Sequence, residues 1–131
     1  MLEHINWLAV IVASVTAFII GGIWYSPKVF LNQWLEDMNL SEDPPENPVK
    51  TFGLAYLFSF LGCAVLAFLI GPNATVESAT TTGFLTGLAI VGGSFGINYQ
   101  FAKRPMRALW IDGGYHTVQF TLFGLILGLW T

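Results

Sequence analysis

Four long apolar runs constrain the fold of this sequence more than any other feature. The first three contain no charged residue, and the fourth contains one, Asp112. The runs cover residues 5–25, 52–70, 79–101 and 108–130. Each is close to the length that a helix needs to cross a hydrocarbon core of roughly 30 Å at about 1.5 Å per residue. We therefore predict an all-α membrane protein, with four transmembrane helices in a compact bundle that forms a single domain over residues 1–131.

The composition excludes most other classes of protein. Of the 131 residues, 54% are hydrophobic and 10% are charged, which is far from the usage of soluble domains. Lipid cannot satisfy the edges of an open sheet, and the alternation typical of a barrel strand is absent. The first run lacks the basic head and the cleavage site of a signal peptide, so we expect it to be retained. The sequence also lacks enzyme motifs and a basic surface for nucleic acid, and we expect no catalysis and no cofactor.

The basic residues predict an orientation in the membrane. All of them lie in the first and third connections between the predicted helices: Lys28, Lys50, Lys103, Arg104 and Arg107. These two connections lie on the same side of a chain with four spans. The positive-inside bias then places residues 26–51 and 103–107 in the cytoplasm and both termini outside.

The first connection is predicted to contain a short helix that lies in the membrane interface. Pro27 is placed as the opener of this helix, and Phe30, Trp34 and Met38 follow at helical spacing among polar residues. The acidic, proline-rich segment 41–48 then forms a solvated turn. The interfacial helix acts either as a lid or docking surface, or simply as an anchor for the loop.

A polar cluster is predicted inside the membrane on the last helix. At 100° per residue its members share one face: Asp112, Tyr115, His116 and Gln119. Asn98, near the end of the third helix, is expected at the same depth. Ionisable groups within a membrane often mark proton or ion paths, whereas a structural pairing of Asp112 with Arg104 or Arg107 is the alternative. Asp112 and His116 alone offer too few ligands for a metal site, and the single Cys63 is expected to be a buried filler.

Small residues form a second pattern in the last two helices. They make three G-x-x-x-G pairs: Gly83 with Gly87, Gly92 with Gly96, and Gly124 with Gly128. Such pairs allow close helix approach, and packing within one bundle is sufficient to explain them. The face of the last helix opposite the polar cluster carries further small residues: Gly113, Thr117, Thr121, Gly124 and Gly128. We expect this face to point outward and to contact a helix of another molecule.

The chain also resembles a known bacterial family. The segments that carry the resemblance are INWLAV at residues 5–10, GIWYSP at 22–27, Asn98-Tyr99, and IDGGYH at 111–116 with Gly124 and Trp130. Together they resemble the family known as domain of unknown function 1761, over nearly the whole chain. Leu31 stands where many relatives have glycine. The resemblance implies four helices in a bacterial cytoplasmic membrane, and it implies no activity or catalytic residue.

Two classes of function remain open. The first is a structural protein, either a homo-oligomer or an accessory subunit of a larger membrane complex, and the glycine faces and the small extramembrane mass favour it. The second is a small channel or proton-linked transporter, favoured by Asp112, His116, Gln119 and Asn98. We prefer the first class, with the lipid bilayer and other membrane-protein chains as partners.

Overall fold

The computed structural model describes residues 2–130, and every regular element in that range is helical. Five helices follow one another along the chain: α1 (Trp7–Trp24), α2 (Leu31–Met38), α3 (Pro48–Ile70), α4 (Val76–Phe101) and α5 (Met106–Leu129). Three of them, α1, α3 and α4, are long and apolar enough to cross a membrane. The prediction of an all-helical protein with apolar helices of membrane-spanning length is confirmed for these three.

The helix boundaries follow from local capping residues. The side chain of Asn6 accepts the Ala9 N–H at the start of α1, and α3 begins four residues before the predicted run because Asn47 caps it ahead of Pro48. Proline suits the first turn of a helix, where its missing N–H has no intrahelical acceptor. Thr75 and Ser78 form a capping box that opens α4 three residues earlier than predicted.

Helix α5 lies at the centre and contacts all four other helices. Nine of its residues are buried, compared with five of α1 and four of α3. The predicted fourth span therefore forms a helix of 24 residues, but α5 is not among the three helices apolar enough to qualify as a span by composition. Ionisable and polar residues within a membrane usually face the interior of a bundle, and the central position of α5 buries Asp112 and Gln119 in this way.

Helices α4 and α5 approach most closely in the first half of α4. A Cβ atom added to Gly83 would lie 2.2 Å from the Phe120 carbonyl oxygen, and one added to Gly124 would lie 2.2 Å from that of Ala79. Gly87 and Gly128 also face the opposite backbone closely. These glycines let the two helices touch through their backbones.

The small-residue face of α5 is therefore not outward. Gly113, Gly124 and Gly128 are buried, and Thr117 and Thr121 are partly buried. The expectation of a free outer face was wrong because it assigned α5 one inward face, as in a simple bundle. In the structure α1, α3 and α4 all contact α5, and α4 covers the small-residue face at Gly124 and Gly128.

The second half of α4 lies against α5 less tightly than the first half does. Residues Thr86–Val91 form a π-helical turn, after which α4 resumes regular α geometry at Gly92. A Cβ atom on Gly93 would meet nothing within 4 Å, and one on Gly96 would meet only the Leu109 side chain, at 3.7 Å. Gly92 lies beside Gly113 of α5, since a Cβ atom on Gly113 would be 3.7 Å from the Gly92 Cα, which is an ordinary contact distance. The predicted pair Gly92 and Gly96 therefore lines a groove along this looser contact.

Helix α2 begins later than predicted. Pro27 does not open it, because Pro27 lies inside a turn closed by the Val29 N–H and the Ser26 carbonyl at 3.0 Å. Proline at the second position of a turn fixes the φ angle that the turn needs. The helix starts at Leu31 and ends at Met38, and the next residue, Asn39, caps it with a left-handed φ of 57°. The predicted amphipathic helix is present, displaced by four residues.

Candidate functional site

The candidate site is a cluster of polar side chains at one end of the bundle. We call this end, where α1 and α4 finish and α3 and α5 begin, the basic end, because all five basic residues lie there, in the connections or in the first turns of α3 and α5. The cluster joins α1, α4 and α5 through tyrosine, histidine and carboxylate side chains. Its members are buried or partly buried between helices whose other residues are mostly apolar.

Asp112 is the centre of the cluster and is only 6% exposed. One carboxylate oxygen accepts the hydroxyl of Tyr25, at 2.5 Å, and the other accepts the hydroxyl of Tyr99. Tyr25 follows the last residue of α1, and Tyr99 lies in the last turn of α4. Hydrogen bonds to a carboxylate stabilise its charged form, so two hydroxyl donors offset part of the cost of burying it. A single side chain of α5 thereby ties the ends of two outer helices together.

The expected pairing of Asp112 with an arginine is wrong. Arg107 lies five residues earlier on α5, which is about 140° around the helix, so it points to a different side. Its guanidinium instead donates two hydrogen bonds to Asp37 of α2, at 2.8 and 2.7 Å. The Asp37 side chain is 7% exposed, and this bidentate pair fastens α2 to α5.

Tyr115 and Trp24 add two further ties between α1 and α5. The Tyr115 hydroxyl donates to the Ala17 carbonyl at 2.8 Å, and the Trp24 indole donates to the Ile111 carbonyl at 2.8 Å. The rings of Tyr115 and Tyr25 meet edge to face, with centroids 5.5 Å apart. Because the hydroxyl and indole groups are satisfied within the chain, these aromatic residues act as structural links between the helices.

His116 and Gln119 form a separate pair one turn deeper along α5. The His116 Nδ1 and the Gln119 Oε1 are 2.6 Å apart, which fits an N–H that donates to the amide oxygen. The imidazole stacks on Phe95 and meets Tyr115 edge to face. Gln119 is 5% exposed. Asn98, by contrast, has an exposed side chain and does not join the cluster.

Helix α2 covers the cluster from the basic end. Trp34 meets Tyr25 edge to face at 5.5 Å, and Phe30 contacts Trp24 at 5.1 Å. Among residues 2–130, Trp34 Nε1 and Gln33 Oε1 are buried polar atoms that have no hydrogen-bond partner. Beside Trp34, α2 and the following loop form an open groove of about 660 Å³ that runs to Pro44.

Sequence reasoning identified Asp112 but missed Tyr25 and Tyr99. In the sequence, Tyr25 and Tyr99 stand out only as members of the family-like segments 22–27 and Asn98-Tyr99. The available signal was their position, since both lie at the basic end of helices and Asp112 lies within two turns of the same end. Within the described range, no three His, Cys, Asp or Glu residues lie close enough to hold a metal ion.

Comparison with known proteins gives one match. The model of a family described as "Protein of unknown function (DUF1761)" matches residues 8–128, nearly the whole chain. Neither the curated proteins nor the solved structures contain a match.

Proposed function

The chain belongs to the DUF1761 family of proteins of unknown function, and from the geometry of its own residues we propose that it is a non-enzymatic subunit of a bacterial inner-membrane assembly. The single observation that carries this proposal is the open groove beside Trp34, described above. The partner is another membrane-protein chain, or a second copy, that inserts a basic and apolar segment into this groove.

In the proposed arrangement the chain crosses the membrane four times, and α5 is the central span. Its 24 residues are long enough to cross, and its contacts with α1, α3 and α4 shelter its polar groups from lipid. The basic end lies in the cytoplasm and both termini lie outside, because all five basic residues lie at that end, in the connections or in the adjoining first turns of α3 and α5. The groove then faces the cytoplasm.

Three properties of the groove favour a protein partner. Its walls combine apolar side chains, including Trp34 and Leu40, with the carboxylates of Glu42 and Asp43. Residues 41–51 are exposed throughout, so they are accessible to another chain. The Arg107–Asp37 pair holds α2 in place, and a preformed surface loses less conformational freedom on binding.

The buried cluster serves this function as an internal tie. Both oxygens of Asp112 accept hydroxyl donors, and His116 is paired with Gln119, so these groups link helices of one chain. This arrangement supports a structural role for the polar residues of α5.

Charge reversal in the groove tests the proposal. The protein is released from its native membrane in mild detergent, and the mass of the particle is measured. We expect a mass above that of the 14.4 kDa chain for the parent, and loss of the extra mass when Glu42→Lys and Asp43→Lys are combined. Glu77→Lys, at the other end of the bundle, is the matched control and should keep the assembly. A parent that is monomeric, or a groove variant of unchanged mass, would contradict the proposal.

Proton-linked transport is the second candidate, and the arrangement of Asp112 with Tyr25, Tyr99 and the deeper His116–Gln119 pair favours it. Carboxyl, hydroxyl and imidazole groups at successive depths are the types that relay protons in membranes. Vesicles that contain the protein and an internal pH dye test this candidate. Transport predicts a proton flux that Asp112→Asn abolishes and Glu77→Gln preserves, and the absence of flux above that of plain vesicles rejects it.

A further inference from the structure

A second groove lies within the predicted membrane region, along the contact between the second half of α4 and the first half of α5. Its volume is about 450 Å³, and glycines supply most of its floor: Gly92, Gly93 and Gly96 on α4, and Gly113 and Gly114 on α5. Leu88 and Trp110 at its margins are 51% and 72% exposed. The groove is therefore open to whatever surrounds the bundle.

The side-chain hydroxyl of Thr117, which lines the groove, already has a hydrogen-bond partner. The Thr117 hydroxyl donates to the Gly113 carbonyl of its own helix at 2.7 Å, and the wall is mainly apolar. The floor carries glycines where leucine or isoleucine side chains would fill the space, so the groove is a channel between two helices. It suits an occupant with an apolar body of narrow cross-section. A hydrocarbon chain has this shape.

Two basic residues lie at the end of the groove that opens toward the basic end of the bundle. Lys103 and Arg104 sit in the four-residue link between α4 and α5, and the link is a tight turn in which the Arg104 N–H donates to the Tyr99 carbonyl at 3.0 Å. Among residues 2–130, neither side chain forms a salt bridge, whereas Arg107 binds Asp37. The two charges are available to an anion.

The depth of the groove matches one leaflet of a bilayer. Gly96 and Leu88 lie seven and fifteen residues before Lys103, which places them about 10 and 22 Å below it at about 1.5 Å per residue. A leaflet contributes about half of a hydrocarbon core of roughly 30 Å, beneath the headgroup region. A ligand whose phosphate meets Lys103 and Arg104 would thus hold its acyl chain alongside the glycines.

We propose that this groove is a binding site for an anionic phospholipid of the cytoplasmic leaflet. The headgroup phosphate binds Lys103 and Arg104, one acyl chain lies against the glycines, and the exposed indole of Trp110 borders the chain near the headgroup. Basic pockets between helices on the cytoplasmic side are suited to such headgroups. The site rests on the proposed fourth span and orientation, and it is independent of the partner groove beside Trp34.

Native mass spectrometry of the parent protein, released from vesicles of equal phosphatidylglycerol and phosphatidylcholine, tests the site. We expect one retained phosphatidylglycerol in preference to phosphatidylcholine. Lys103→Gln and Arg104→Gln should each lower this preference about fivefold, since each basic residue near a membrane surface contributes about 1 kcal/mol. Gly93→Leu should remove the bound lipid without a clash, because its Cβ position is open.

Gly53→Leu on α3 is the matched control, since a Cβ atom there also meets nothing within 4 Å. It should retain the lipid as the parent does. Loss of lipid in this control, an unchanged preference in the charge variants, or no retained lipid in the parent would overturn the proposal. A dimeric parent that Gly93→Leu converts to a monomer would also overturn it, by assigning the groove to a second copy. Failure of the assembly experiment leaves these results unaffected, because lipid retention is measured on the single chain.

Discussion

Replacing Gly124 with alanine should destabilise the bundle more than the same change at an exposed glycine. The added Cβ would lie 2.2 Å from the Ala79 carbonyl oxygen and 3.1 Å from the Thr80 Cα. An ordinary contact begins at 3.4 Å, so α4 and α5 must separate locally by 3.4 minus 2.2, or about 1.2 Å. A gap of 0.5–1 Å already forfeits about a quarter to a half of the dispersion energy of the atoms that line it.

The expected cost follows from this separation. Overpacking a well-packed interior typically costs about 1–3 kcal/mol, and we expect a loss in that range for the free energy of unfolding of Gly124→Ala. Gly53→Ala is the control, because its Cβ meets nothing and alanine favours a helix over glycine by up to about 1 kcal/mol. The control should therefore be as stable as the parent or more stable.

Reversible unfolding in mixed micelles, with sodium dodecyl sulfate as the denaturant and circular dichroism as the signal, measures both variants. The structure also predicts an order within the series. The added Cβ would lie 2.2 Å from its nearest neighbour at Gly83, 2.7 Å at Gly87 and 3.0 Å at Gly128. The loss of stability should fall in that order. Equal stability of Gly124→Ala and Gly53→Ala would refute the reasoning, because α4 and α5 would then not touch through their backbones.

Three further predictions concern the polar cluster, α2 and the orientation. Tyr99→Phe and Tyr25→Phe should each lower the free energy of unfolding by about 1–3 kcal/mol in the same assay, because each leaves one oxygen of buried Asp112 without a donor. If either substitution costs as much in an Asp112→Asn background as in the parent, the tyrosine hydroxyl does not act through Asp112. Arg107→Gln should speed hydrogen exchange in residues 31–38, whereas Glu36→Gln should not, since Glu36 is exposed and lies 3.7 Å from Arg107. In a Cys63→Ala background, cysteines at Asn47 and Asn73 should react with an impermeant reagent from the cytoplasm and from outside, respectively; the reverse pattern would invert the orientation.

The sequence was sufficient to locate the helices but not to arrange them. Charge-free runs of membrane-spanning length are a strong local signal, and the observed ends differ by a few residues because caps such as Asn47 and Thr75 lie outside the runs. Periodicity correctly separated the polar and small-residue faces of α5, but it contains no information about which neighbour covers each face. The central position of α5 therefore had to come from the structure.

The sequence predicted the central residue of the site, Asp112, but not the tyrosines that bind it. A charge inside an apolar run is conspicuous, and Asp112 was identified on that ground. Tyr25 and Tyr99 are 87 and 13 residues away along the chain, and tyrosine at a helix end is also the usual residue of an interfacial belt. Only the meeting of three helix ends distinguishes a hydrogen-bond donor from a belt residue.

The polar composition of α5 has a consequence for the order in which the protein enters its membrane. An aspartate costs about 2.5–3.5 kcal/mol at the centre of an inserting helix, and Asp112 lies within two turns of the start of α5, where the cost is smaller. Because α5 also carries His116 and Gln119 nearer its centre, it is poorly suited to partition into lipid alone. The link of four residues joins it to α4, whose Gly83 and Gly87 receive its backbone directly. In the proposed four-span arrangement, α4 and α5 therefore enter as a hairpin, and the biogenesis of this protein depends on the last two helices being translocated as a unit.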